Sequence, residues 1–117
     1  MAAADELGIE TTMHGSVAVV KLDGAVNVNT FEKLDTTLFD LFREQHYSIV
    51  CDMAKVKYMS SAGAGVFMHA LSECRDSHGN MVLINLSAGV MEVFDLLNLT
   101  GFLPTAPNLE AALAAFR

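Results

Sequence analysis

The feature that most restricts the fold of this chain is a change of hydrophobic period that occurs three times. Near-continuous apolar runs in "SVAVVKLDG", "YSIVCDM" and "NMVLINL" are each followed by a longer segment whose apolar residues recur every three or four positions. An unbroken apolar run, rather than an alternating one, fits a strand covered on both faces. Strands that alternate with helices are joined by crossovers, and this makes neighbouring strands parallel. The segment "IETTMHG" precedes the first run and is expected to pair with it as a hairpin turning at His14-Gly15.

The helical segments carry their own punctuation. In "NVNTFEKLDTTLFDLFREQ" the stripe is Phe31, Leu34, Leu38, Leu41 and Phe42, and Asn29 followed by Glu32 has the spacing of a capping box. "SAGAGVFMHALSECRDSHG" places Val66, Phe67, Ala70, Leu71 and Cys74 on one face, with Gly79 as terminator. "AGVMEVFDLLNLTG" does the same with Val90, Val93, Phe94 and Leu97, and "NLEAALAAFR" reads as a short last helix capped by Asn108. The first buried strand is expected to close at Asp23-Gly24 and the second at Asp52. The predicted order is β-β-α-β-α-β-α-α, an α/β fold with a mixed, mostly parallel sheet and four helices. Residues 1–117 are expected to form one domain, with Phe94, Leu97, Leu99, Phe102 and Leu103 in its core by default and a dimer contact as the alternative.

Charge excludes some functions. Seven lysines and arginines against fourteen acidic residues give a net charge of −7, opposite in sign to a duplex-binding surface. No apolar run approaches the roughly 20 residues of a membrane helix. The start, Met1 to Glu6, has neither a basic nor an apolar leader region, so a cytoplasmic place is expected. Cys51 and Cys74 sit inside apolar patterns and are expected to stay reduced. His14, His46, His69 and His78 are scattered without metal-site spacing, and neither a metal nor a cofactor is expected.

One polar cluster interrupts this apolar chain: Ser60-Ser61-Ala62-Gly63-Ala64-Gly65, where a strand hands over to a helix. One serine caps the helix, a contribution of about 1 kcal/mol, whatever else the cluster does. A phosphate cradle would need a lysine in the loop or a third glycine, and both are missing. A hydrolase elbow would need glycine before the serine, where Met59 stands, and a triad histidine; His69 lies about two turns along the same helix, out of reach of Ser61. The fourth reading is covalent charge. A phosphate at a helix N-terminus is tolerated by the macrodipole yet repels a protein docked over it.

The run "IVCDMAKVKYMSSAGAGVFMHAL" resembles the signature of STAS-domain anti-sigma factor antagonists. "VAVVKLDGAVN" and "GVMEVFDLLNLTGFL" are similar to two further elements of that family, in the right order. The resemblance implies a phosphorylated serine at Ser61, with Gly63 beside it. Two positions depart from the pattern: Asn27 and Ser60 stand where the family commonly has acidic residues, and Ser60 becomes a second candidate acceptor. The implied docking surface comprises Asn27, Val28, Asn29, Met59, Ser60, Ser61, Ala64 and the exposed parts of the following helix, with Met59 and Met68 as adaptable contacts. The implied partners are an anti-sigma factor that is also a serine kinase of the histidine-kinase-like ATPase fold, and a PP2C-type phosphatase. The chain itself would be a non-enzymatic monomer or weak dimer, binding neither nucleic acid nor membrane. A STAS accessory subunit serving a transporter ATPase or another signalling kinase is the alternative, ahead of a small-molecule sensor.

Overall fold

The structure, a computed structural model, describes residues 6–116. The leader reading of the first five residues therefore lies outside the described part. The elements are β1 (Leu7–His14), β2 (Val17–Val26), α1 (Phe31–Arg43), β3 (Ser48–Met59), α2 (Ser61–Asp76), β4 (Asn80–Ile84), α3 (Ala88–Leu96), β5 (Thr105–Ala106) and α4 (Leu109–Ala114). They form a five-stranded sheet in the order β1-β2-β3-β4-β5. The β1–β2 pair is antiparallel and the others are parallel. This is the expected mixed fold, with β5 as an addition. Only two residues long, β5 lies between Pro104 and Pro107, where the prolines mask any strand signal.

The two-sided burial inferred from the apolar runs is real. Ala18, Val20, Ile49, Cys51, Met81 and Leu83 face a core shared with α1, α2 and α3. Their neighbours Val17, Val19, Val50, Val82 and Ile84 face the opposite way, against Ala112 of α4. On α1 the buried stripe is Leu34, Leu38 and Leu41. Phe67 of α2 meets Phe94 of α3 edge-on, with ring centroids 6.3 Å apart.

Several boundaries differ from expectation, each for a physical reason. The hairpin turns at Gly15-Ser16, and Gly15 takes a left-handed φ of 64°. Strand β2 runs through Gly24 to Val26. Gly24 is not a terminator there; an added Cβ would lie 2.2 Å from the Glu6 carbonyl oxygen, so glycine permits a close backbone approach. Strand β3 continues past Asp52 to Met59, and register shifts against β2 break its alternation. Its pairing with β4 ends at Asp52–Ile84, so Met53 to Met59 extend beyond β4 with β2 as their paired strand. The capping box at Asn29 does not form: Thr30 is the N-cap residue of α1, without a side-chain capping bond.

Helices α1, α2 and α3 all end in a Schellman turn. The left-handed residue is Gln45, His78 or Asn98, with φ of 65°, 67° and 60°. The amide of the following residue donates to Leu41, Cys74 or Phe94 respectively. Gly79 therefore follows the left-handed position instead of filling it, and its own role is proximity: a Cβ there would sit 2.0 Å from the Tyr47 carbonyl oxygen. The apolar cluster after α3 divides. Phe94 and Leu103 are buried, whereas Leu97 and Phe102 are exposed, together with Leu96.

Candidate functional site

The site is built where β2 and β3 end side by side and α2 begins. Ala25 and Val26 pair with Tyr58 and Met59. The chain then leaves β3 through Ser60, whose amide donates to the Val26 carbonyl at 2.9 Å. Ser60 is the N-cap of α2; its backbone is extended, and its Oγ accepts from the Gly63 amide at 3.4 Å. The long distance makes this a weak cap. The capping role goes to the first serine of the pair, which is half-buried.

Ser61 is the first helical residue, and its side chain is exposed. Among the described residues its hydroxyl has no hydrogen-bond partner, His69 included. That leaves no base to activate it as a nucleophile within this chain. It is a free hydroxyl at the positive end of a four-turn helix.

The helix mouth fits tightly against β2. At Gly63 an added Cβ would lie 2.5 Å from Val26 Cγ1 and 2.8 Å from the Val26 carbonyl oxygen. The glycine lets α2 seat directly on the end of β2. By contrast a Cβ at Gly65 would meet open space, so only the first glycine of the pair is required for packing.

The β2–α1 turn supplies the second wall. Among the described residues Thr30 is the one buried polar side chain, at 5% exposure. Its Oγ1 donates to the Ala25 carbonyl at 2.7 Å and accepts from the Asn27 amide at 2.9 Å. Asn27 Oδ1 in turn accepts from the Asn29 amide at 2.9 Å, an Asx turn. The turn presents Val28, 68% exposed, and Asn29 to solvent.

The residues assigned to docking therefore separate into two groups. Asn27, Val28, Asn29, Ser60 and Ser61 reach the surface at one corner. Met59 and Ala64 do not: they are 2% and 0% exposed, and both belong to the main core. Met59 points inward because it shares the buried phase of β3 with Val56, and Ala64 lies on the sheet-facing side of α2. Met68 is half-buried against the core. A residue absent from the sequence-based set joins the surface instead. Tyr58 is 57% exposed and pairs with Ala25 near the end of β3, its side chain leaving the sheet on the side opposite to Met59. The spacing Val56–Met59 in "VKYM" carries the signal, but only once the bulge in β3 is known.

No helix among the described residues is long and apolar enough to cross a membrane. No group of three or more His, Cys, Asp or Glu among them is arranged to hold a metal ion. The family model described as STAS domain matches residues 8–112, nearly the whole described chain. The chain belongs to the STAS domain family. Among curated relatives, BtrV of Bordetella bronchiseptica, which bears the name anti-sigma factor antagonist, is 33% identical over 82% of this chain and 83% of its own. This STAS domain superposes on an anti-sigma factor antagonist from Mycobacterium paratuberculosis with a TM-score of 0.89 at 20% identity, covering 100% of this chain and 99% of that one. SpoIIAA, an anti-sigma factor antagonist, matches in its unphosphorylated form with a TM-score of 0.78 at 21% identity over 92% and 95% of the two chains. Its phosphorylated form, from Bacillus, matches with a TM-score of 0.72 at 20% identity over 94% and 100%. The STAS fold is thus shown across the whole sheet and all four helices.

Proposed function

We propose that this STAS protein is an anti-sigma factor antagonist whose docking to an anti-sigma factor is gated by phosphorylation of Ser61. The carrying observation is the exposed, unbonded Ser61 hydroxyl at the mouth of α2, on the corner where β2 gives way to the turn bearing Val28 and Asn29. The chain acts in the cytoplasm, as a single domain and without catalysis of its own. Its partner is a serine kinase of the histidine-kinase-like ATPase fold. That kinase passes the γ-phosphoryl group of ATP to Ser61 Oγ; the P–O bond to ADP breaks, and the hydroxyl proton goes to a base of the kinase. A PP2C-type phosphatase hydrolyses the ester with water and restores the free serine. Ser60 is the poorer acceptor, because its oxygen faces the Gly63 amide and is half-buried.

The experiment is incubation of the chain with ATP and the cognate anti-sigma kinase, followed by mapping of the phosphate. Modification at Ser61, absent in Ser61→Ala, supports the reading; modification elsewhere or none at all overturns it. A second reading rests on Asn27 and Ser60, which offer amide and hydroxyl where the family commonly places carboxylates. In that reading the same corner serves a transporter ATPase or a different signalling kinase. Identification of proteins co-purifying with the chain separates the two, since only the first predicts an anti-sigma factor among them.

A further inference from the structure

A cleft of about 340 Å³ lies between α1 and α2, on the outer side of the helical layer. Its volume falls within the range of small-molecule sites. On α2 it is lined by His69, Ala70 and Glu73, so its near end is about 12 Å along the helix from Ser61. Phe42 and Tyr47 form one wall as a stacked pair, with ring centroids 5.5 Å apart and planes 8° from parallel. Ala70 is buried, and its small side chain leaves the depth of the cleft open. Phe39 stands at the rim, 59% exposed and outside the buried stripe of α1.

The charges around these rings are unbalanced. Arg43 is the only lysine or arginine lining the cleft, and it lies 3.7 Å from Asp40. Asp35 and Glu73 face the cleft from opposite helices, and neither has an ion-pair partner within 4.0 Å among the described residues. Aromatic faces attract cations through the ring quadrupole, and two uncompensated carboxylates add to that attraction. Arg43 and His69 line the same cleft, so its preference for a cation over an anion rests on two carboxylates set against one guanidinium.

We propose that this cleft is a second binding site, which takes a small organic cation with a flat apolar body. The body lies against Phe39, Phe42 and Tyr47, and the cationic head sits between Asp35 and Glu73. This site is independent of the reading of Ser61 and lies apart from the corner formed by Asn27, Val28, Asn29, Ser60 and Ser61.

The test uses the full chain, labelled with nitrogen-15, and three probes with the same ring: benzamidinium, benzyl alcohol and benzoate. Benzamidinium is expected to give saturable amide shifts centred on Phe39, Tyr47, His69 and Glu73, with benzyl alcohol weaker and benzoate inactive. The double variant D35N/E73Q changes two exposed side chains and should fold. It is expected to raise the Kd for benzamidinium about three- to tenfold and to erase its advantage over benzyl alcohol. Phe39→Ser should weaken both active probes, and Ser61→Ala should change neither. Benzyl alcohol binding as tightly as benzamidinium in the unaltered chain would overturn the proposal. So would shifts centred elsewhere, or an unchanged Kd in the double variant.

Discussion

Gly63 and Val26 touch so closely that the first turn of α2 and the end of β2 form one rigid corner. A methyl group at position 63 would fall 2.5 Å from Val26 Cγ1 and 2.8 Å from its carbonyl oxygen. Val26 is fully buried and cannot rotate away without disturbing the core. Gly63→Ala is therefore expected to destabilise by about 1–3 kcal/mol, despite the better helix propensity of alanine. Chemical denaturation measures this directly, and Gly65→Ala is the control. With open space at its Cβ, that variant should be neutral or slightly stabilising.

The two serines should respond differently. Ser60→Ala removes a long, weak cap and is expected to cost less than about 1 kcal/mol. Ser61→Asp leaves stability within about 0.5 kcal/mol, because its charge is exposed and lies at a helix N-terminus. The same variant should weaken anti-sigma factor binding at least about tenfold, through an unpaired charge in the interface. Thermal melts and a pull-down at fixed salt test the pair. A large loss of melting temperature in Ser61→Asp would contradict the exposed setting of that residue.

Thr30 holds the turn that displays Val28 and Asn29. Replacing it with valine keeps the shape but takes the Oγ1 donor from the Ala25 carbonyl and the acceptor from the Asn27 amide. Thr30→Val is expected to cost about 1–3 kcal/mol. Amide hydrogen exchange should show the loss concentrated in residues 25–30, with the far end of the sheet unaffected.

Three helices end on a left-handed residue that is not glycine. His78→Gly and Gln45→Gly should each relieve strain at φ of 67° and 65°, gaining up to about 1 kcal/mol after the entropy cost of glycine. Moving the glycine the other way is predicted to fail: Gly79→Ala places a Cβ 2.0 Å from the Tyr47 carbonyl oxygen and should destabilise strongly. Melting temperatures of the three variants provide the comparison.

Burial pushes both thiols up, Cys74 to about 12 and Cys51 further. The neutral thiol is favoured in the folded state, so above about pH 9 the unfolded chain holds fewer protons. Stability from these groups is complete below that pH and declines as pH rises toward 12. Denaturation midpoints measured from pH 8 to 11 should fall, and a Cys51→Ala/Cys74→Ala variant should fall less. At neutral pH neither thiol should react with an aromatic disulfide until the chain unfolds.

Much of this fold is legible in the sequence because its two periods are clean. Val17 to Val20 alternate between two cores, so the run reads as continuously apolar and announces a covered strand. The ends of elements are harder. Beyond Asp52, β3 shifts register and exposes Lys55, Lys57 and Tyr58 around buried Val56 and Met59, and no single period describes it. The same shift sends Met59 inward and Tyr58 outward, so a docking set read from linear proximity to Ser61 takes in the wrong neighbour. At position 79 the sequence shows a glycine where a terminator belongs. Only three-dimensional proximity reveals that His78 bends the chain while Gly79 makes room for Tyr47. That one serine of the pair caps α2 was visible from the motif, whereas the assignment of capping to Ser60 needed coordinates.

The outer end of β3 projects past β4 and is stitched to Val26 by the Ser60 amide. The same corner is clamped by the close seat of Gly63 on Val26. A charge placed on Ser61 is therefore expected to leave the chain's shape unaltered and to be felt only by a protein resting on that surface.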